Sequence, residues 1–291
     1  MKTDDIARHD AKPAPTDTVR LVVTDMDGTL LTPEKQVTHA SLDAIAKLNA
    51  TGVPVCLVSS RAPHGISMYF DALKIRTPYA GLNGAAIFDA DGHLISSLSL
   101  DAGAVRDAID MFDVHEIDPW LFCGNDWIVR DASIGYVPHE ARVIRTTPHE
   151  TKDFTPWEGK VGKVTGSSAD YDLLERLEGE IGQMLEGRAS VARSAPYYLD
   201  ITPLEANKGH ALREMGRLFN IPVHEIACLG DMRNDIPMLS IAGLAIAMGN
   251  ATDEVASYAH VQTVTNEQDG WARAIEQFVL PRVPATLTPV K

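Results

Sequence analysis

The sequence is poor in cysteine. Three occur in 291 residues, Cys56, Cys123 and Cys228; they are odd in number, far apart and without CxxC spacing. That excludes a disulfide framework and a cysteine-bound zinc site, and leaves buried thiols as the reading. Cys56 and Cys228 each fall in a short apolar run, as strand residues do. The ten histidines are scattered and form no HExxH or comparable pair, so none is assigned to a metal. Cations are in deficit as well: 26 Lys and Arg face 40 Asp and Glu, a formal charge of -14. Phosphate backbones need clustered cations, so a general nucleic-acid binder is disfavoured. No apolar run approaches the ~20 residues of a membrane helix, and the opening "MKTDDIARHDAKPAPTDT" lacks the apolar stretch of a signal peptide. A cytoplasmic protein that engages no membrane is expected. Internal repeats and low-complexity tracts are missing too.

What is present is apolar residue, 45% of the chain, enough for one large domain or two ordinary ones. The stretch "LVVTDMDGTLL", residues 21 to 31, starts as an unbroken β-rich run, which suits a strand covered on both faces of a parallel sheet. It ends on two acids. Asp25 and Asp27 would sit at the carboxyl end of that strand, where open α/β sheets place their ligands. Carboxylates withdrawn from water need a cation or hydrogen-bond donors, and two side by side suggest a metal. The same letters also serve as a cap or turn before Gly28.

The following segments alternate. "HASLDAIAKLNATG" carries Leu42, Ile45 and Ala46 at helical spacing with Gly52 as a stop. "VPVCLVSSR" is another apolar run ending in polar residues, and a helix through Met68 to Leu73 followed by "YAGLNGAAIF" continues the βαβ pattern. From about Ile87 to Ser194 the pattern changes to hairpins and long helices. "WLFCGNDWIVR" reads as two short strands about a Gly-Asn turn. "DYDLLERLEGEIGQMLEG" puts Leu173, Leu174, Leu177, Ile181, Met184 and Leu185 on one helical face, to pack on a small sheet that includes "KVGKVTG", "ASVARS" and "YYLDIT". The opening pattern returns after Lys208, with the helix "KGHALREMGRLFN", the run "EIACLGD", and short strands near Leu244 and Val261. The expected fold is α/β, a doubly wound parallel Rossmann-like sheet with an inserted α+β cap. Its divisions are a flexible tail over 1–18, a core over 19–86 and 204–280, the cap over 87–203, and a second tail over 281–291.

Four polar clusters, "DMDGTL", "SSR", "NKG" and "GDMRND", then stand in order at the carboxyl edge of the core sheet or at helix starts. In this arrangement the sequence resembles the haloacid dehalogenase superfamily of phosphohydrolases, specifically the Cof-type members with a large inserted α/β cap of the C2B kind, from about Arg20 to Val279. The resemblance implies that Asp25 attacks phosphorus to form an aspartyl-phosphate and that Asp27 acts as general acid and base. It implies Lys208 as the ammonium that offsets charge on the nucleophile and the phosphoryl group. It implies Mg²⁺ held by Asp25, the backbone carbonyl of Asp27 and Asp231, with Asn234 and Asp235 supporting the ligands from behind, Asp235 by steering Lys208 or a metal-bound water. The second cluster departs from the commoner TGR of Cof-type members. Ser59 takes the phosphate-binding position by alignment, Ser60 competes for it, and both Ser60 and Arg61 are expected among the substrate-binding residues. Gly28, Thr29, Asn83 and Gly84 are further expected near the substrate, although Asn83-Gly84 also forms turns. In the cap, Arg130, Lys163 and Arg193 are candidates to reach polar groups of the substrate, with solvated surface cations as the plain alternative.

The leading reading is therefore a Mg²⁺-dependent phosphatase of small phosphomonoesters, sugar phosphates or related metabolites. A phosphomutase on the same scaffold is the alternative, and a signalling module phosphorylated on aspartate is a third. The expected partner is the small-molecule substrate alone. Neither the ester nor the oligomeric state is legible in the sequence.

Overall fold

The structure, a computed structural model, describes residues 13–285. The expectation of poorly ordered tails lies, for 1–12 and 286–291, outside the described residues. The inner parts of both tails are tied to the core: the Thr16 amide donates to the Gly243 carbonyl at 2.9 Å and the Val19 amide to that of Arg282 at 2.9 Å.

Five parallel strands form the central sheet in the order Val261–Gln262, Leu244–Ala247, Ile226–Gly230, Leu21–Thr24 and Val55–Leu57. Every residue of the three middle strands is buried, which is why their sequences are apolar without alternation. Successive side chains still point to opposite faces. Val22, Ala227 and Leu229 join Ala44, Ile45 and Leu48 of the helix His39–Thr51 in one apolar cluster. Leu21, Val23 and Cys228 join Ala211, Leu212 and Met215 of the helix Lys208–Phe219 in another. The buried stripe of His39–Thr51 is Ser41, Ala44, Ile45 and Leu48; of the expected Leu42, Ile45 and Ala46, Ile45 lies in it, Leu42 is half-buried at its edge and Ala46 is exposed. The thiols of Cys56, Cys123 and Cys228 are all buried.

"YAGLNGAAIF" begins as the βαβ pattern expects, with Ala80 bridged in parallel to Val58 after the helices His64–Ser67 and Phe70–Leu73, and then turns back on itself. Tyr79–Gly81 pairs antiparallel with Ala86–Phe88, which pairs antiparallel with Leu94–Ser97, and a parallel bridge between Val58 and Ala80, with the Ser59 amide donating to the Ala80 carbonyl at 3.0 Å, joins this three-stranded sheet to the edge of the core sheet. A second parallel return, to Ala86–Phe88, would need another crossover of a dozen residues or more. Here Leu82, Asn83 and Gly84, at φ values of 53°, 58° and 93°, turn the chain back at once. Within the stretch expected to open the insertion, Ile87 and Phe88 pair with Ala80 and Tyr79, and Leu94–Ser97 pairs with Ala86–Phe88.

The separate antiparallel cap has a six-stranded sheet in the order Ala189–Ala195, Tyr198–Pro203, Lys163–Ser167, Pro119–Cys123, Asp126–Val129 and His149–Glu150, the last pair being parallel. One face, with Leu121, Ile128, Val164, Leu199 and Ile201, packs on the helices Ala102–Val114 and Tyr171–Met184. Of the stripe expected on the latter helix, Leu174, Leu177, Ile181 and Leu185 are buried, whereas Met184 is 38% exposed. The other face looks towards the core. Its aromatic part, Trp120, Phe122 and Trp127, shares one apolar cluster with Ile66 and Phe70 of the core and with Val137 and Ile144 of a cap helix. Its polar part, Lys163, Thr165, Asp200 and Thr202, is buried as well. No helix among the described residues is long and apolar enough to cross a membrane.

Candidate active site

The strand Leu21–Thr24 is the point at which the chain order reverses, with Val55–Leu57 on one side and Ile226–Gly230 on the other. Such a switch point leaves a crevice at the carboxyl ends of the strands. Asp25 enters it, only 4% exposed. Its backbone is fixed from behind: the Trp271 indole Nε1 donates to Thr24 Oγ1 at 2.9 Å, and that hydroxyl donates to the Asp25 carbonyl at 2.8 Å.

Lys208, the first residue of its helix, places Nζ 2.6 Å from Asp25 Oδ1 and 2.6 Å from Asp235 Oδ1. Asp235 is wholly buried. Its Oδ2 accepts from the backbone amides of Asp231 and Met232 at 2.8 and 2.9 Å, closing the loop after Ile226–Gly230. Asp231 in turn accepts from Thr29 Oγ1 at 2.7 Å and from Asn250 Nδ2 at 3.1 Å. Gly28 is the residue that lets Asp231 come this close. Its φ is +80°, and a Cβ there would lie 2.3 Å from Asp231 Oδ2.

Carboxylate oxygens of Asp25, Asp231 and Asp235 all lie within 4.8 Å of one another, against the single ammonium of Lys208. Burial raises the Asp25 carboxyl well above its ordinary value; Lys208 pulls it down, and Asp235 and Asp231 push it up. Burial and then Asp235 push Asp231 up to about 6. Burial works against the charge on Lys208, yet Asp235 and Asp25 outweigh it and raise its pKa. This is the signature of surplus buried negative charge that a cation relieves. The donors are hard oxygens with no thiol or imidazole among them, and Asp235 is already committed to Lys208 and to backbone amides. Asp25 and Asp231 therefore suit Mg²⁺.

Asp27 is held differently. Arg61 grips it with Nε to Oδ2 at 2.6 Å and Nη2 to Oδ1 at 2.7 Å, and Lys35 Nζ lies 2.7 Å from Oδ1. Burial works to raise this carboxyl, but the bonds and charges of Arg61 and Lys35 prevail and hold it at about 2. Asp27 is thus an ionised group turned towards two cations in this conformation.

Between core and cap lies a cavity of about 540 Å³. Asp25, Asp27, Ser59, Ser60, Asn83 and Lys208 line its core side; Ser190, Ala192, Arg193, Ser194, Asp200 and Thr202 line its cap side. Ser59 Oγ accepts from the Arg61 amide at 3.2 Å, which leaves its hydroxyl hydrogen to donate elsewhere. Asn83 and Asn234 also line the cavity and are bonded to each other, Nδ2 of Asn234 to Oδ1 of Asn83 at 3.3 Å.

Other sequence candidates sit away from the cavity wall. Gly28 and Thr29 serve Asp231, Arg61 serves Asp27, and Gly84, at φ +93°, packs where a Cβ would meet the Asn207 carbonyl at 2.5 Å. Among the cap cations, Arg130 is taken by Asp113 and lies over the Phe154 ring. Lys163 is buried against Asp200, and Arg193 reaches the cavity while bonded to Glu178 at 3.0 Å. Sequence reasoning missed Asn250, the Thr24–Trp271 support and Asp200. Asn250 follows the strand Leu244–Ala247 at the same sheet edge as the recognised acids, so asking what lies beyond that strand would have found it.

With this geometry in place, four likenesses bear on the chain. The model of a family described as haloacid dehalogenase-like hydrolase matches residues 22–275. The protein YxeH of Bacillus subtilis (strain 168) is 30% identical over 269 residues, 90% of this chain and 99% of that one. The pyridoxal phosphate phosphatase YbhA of Escherichia coli (strain K12) is 28% identical over 275 residues, 90% of this chain and 100% of that one. Among solved structures, a haloacid dehalogenase-like hydrolase from Bacteroides thetaiotaomicron superposes with a TM-score of 0.79 at 26% identity, covering 89% of this chain and 99% of that one.

Proposed function

Since the chain belongs to the haloacid dehalogenase-like hydrolases and is a phosphatase of that kind, we propose that it hydrolyses small phosphomonoesters through an aspartyl-phosphate on Asp25, with Mg²⁺ held by Asp25 and Asp231. The observation that carries this reading is the Lys208 ammonium at 2.6 Å from both Asp25 and Asp235. It opposes the effect of burial on the Asp25 carboxyl, which lines the cavity, while Asp235 is spent on holding the ammonium. Such a carboxylate is equipped to attack a tetrahedral centre whose negative charge the ammonium then shares.

In this reading the Ser59 hydroxyl, and that of Ser60 beside it, donate to phosphoryl oxygens on the side opposite Asp231. Bound Mg²⁺ supplies positive charge to the nucleophile and the phosphoryl group. Asp27 protonates the departing alkoxide, then takes a proton from the water that opens the aspartyl-phosphate. A carboxyl held at about 2 is a poor acid at neutral pH, so Asp27 has to part from Arg61 and Lys35 before it can give a proton. The cap shields the aspartyl-phosphate from bulk water and meets the leaving group.

The test is phosphate release from a panel of sugar phosphates, nucleotides, pyridoxal phosphate and phosphoglycolate, with and without Mg²⁺. Asp25→Asn is expected to lower turnover by about three orders of magnitude or more while leaving the circular dichroism unchanged. Full activity in that variant, with deamidation excluded by mass spectrometry, overturns the assignment. Conversion of a hexose 1-phosphate to its 6-phosphate without phosphate release would replace hydrolysis by the mutase reaction.

A further inference from the structure

The ion pair between Lys163 and Asp200, whose side chains are 8% and 10% exposed, is the most buried among the described residues outside the Asp25–Lys208–Asp235 cluster. Burying two charges usually costs as much as their attraction returns, so a buried pair is weak evidence of a stabilising role. Its position suggests another use. Asp200 lies in the strand Tyr198–Pro203, opposite Thr165 on one neighbour and Ala192 on the other. Leu199 and Ile201 alternate with it and face the cap's own core. Asp200 thus stands on the core-facing side of the sheet, in the wall of the cavity, flanked by Ala192 and Thr202.

Its carboxylate is held firmly but not used up. Thr165 Oγ1 donates to Oδ1 at 2.6 Å and Lys163 Nζ to Oδ2 at 3.2 Å, whereas a carboxylate has about four acceptor sites. Lys163 is itself fixed above the Phe122 ring, 4.7 Å from its centre, and donates also to the Ser60 carbonyl at 3.2 Å. That bond joins the cap carboxylate to the Ser59–Ser60 loop that faces the nucleophile. No aromatic side chain lines the cavity among the described residues. The aromatic part of the same sheet face is packed away in the apolar cluster.

We propose that Asp200, positioned by Lys163 and Thr165, is a specificity-determining residue that accepts hydrogen bonds from hydroxyl groups on the leaving alcohol, and so selects hydroxylated, non-aromatic phosphomonoesters. The inference rests on the phosphatase reading and adds to it the group that reads the leaving alcohol. Lys163 is a positioning residue in this account; it holds the carboxylate in register with the loop that binds the phosphate end.

The experiment compares p-nitrophenyl phosphate, whose leaving group carries no hydroxyl, with glucose 6-phosphate, ribose 5-phosphate and glycerol 2-phosphate. For the best of these three, Asp200→Asn is expected to lower kcat/KM about tenfold or more, chiefly through KM, because charge-assisted hydrogen bonds are lost, while p-nitrophenyl phosphate changes by less than about twofold. Retained p-nitrophenyl phosphate turnover reports an intact fold and phosphoryl site. If the variant fails to fold, Thr165→Val provides the second test, with a smaller loss of about threefold confined to the hydroxylated ester. Equal losses on both kinds of ester, no loss on either, or a wild type that hydrolyses p-nitrophenyl phosphate and none of the three hydroxylated esters overturns the proposal alone. A wild type that releases phosphate from none of the four overturns the phosphatase reading and this inference with it.

Discussion

At the scale of single residues, the site is a set of carboxylates with opposite fates. Asp27 is stabilised in its charged form by Arg61 and Lys35, whereas burial works against the charged forms of Asp25 and Asp231. The sign of the pH dependence follows. A carboxyl whose pKa is higher folded than unfolded contributes stability that is lost as the pH rises through the folded value. For Asp231 the shift from 3.8 to about 6 is worth roughly 3 kcal/mol. In EDTA, melting followed by circular dichroism should therefore show the protein gaining stability as the pH falls from 7.5 to 5. Asp231→Asn should flatten part of that gain, and saturating Mg²⁺ should shrink it in the wild type. Gly28→Ala brings a Cβ to 2.3 Å from Asp231 Oδ2. It is expected to weaken Mg²⁺ binding, read by titration calorimetry, by about tenfold or more. Asp25, Asp27, Lys208 and Asp231 were legible because each sits in a short motif. Asn250, Trp271 and Asp200 carry no local mark. They come to the site from far along the chain, and only the packing of the sheet and the docking of the cap bring them there.

At the scale of elements, the helix Lys208–Phe219 shows how local signals position chemistry. Asn207 caps it, its side chain accepting from the His210 amide at 3.0 Å, so the first helical residue is the one that meets Asp25. Asn207→Ala should cost about 1 kcal/mol in urea unfolding. Through misplacement of Lys208 it should also lower kcat by between about tenfold and a hundredfold. Asn207→Asp should restore most of the stability, since aspartate caps as well as asparagine. The helix itself was readable from its apolar spacing and from Asn220 and Pro222 at its end. The antiparallel return of "YAGLNGAAIF" was not, because an apolar run looks alike in a parallel strand and in a hairpin. What decided it was a left-handed backbone at Leu82, an unusual conformation for that residue.

At the scale of the molecule, core and cap are joined by a shared apolar cluster as well as by two chain crossings. Ile144 of the cap helix Val137–Ile144 comes so near the core helix His64–Ser67 that a Cβ on Gly65 would lie 3.0 Å from Ile144 Cγ2. Trp120 and Trp127 report on the cap side of that cluster and Trp271 on the core side. In a Trp271→Phe variant, urea unfolding followed by the remaining fluorescence and by far-ultraviolet circular dichroism should therefore give coincident curves; an earlier fluorescence transition would mean that the cap loosens first. The buried thiols open a way to watch such loosening directly. Burial pushes the thiols of Cys56 and Cys123 up, the latter to about 12, so little thiolate exists at neutral pH and maleimides react slowly with either. Cysteines introduced at exposed positions, one on each side of the cavity, should then take up a donor and acceptor dye without removal of the native three. The distance between the dyes would follow opening and closure during turnover in single molecules.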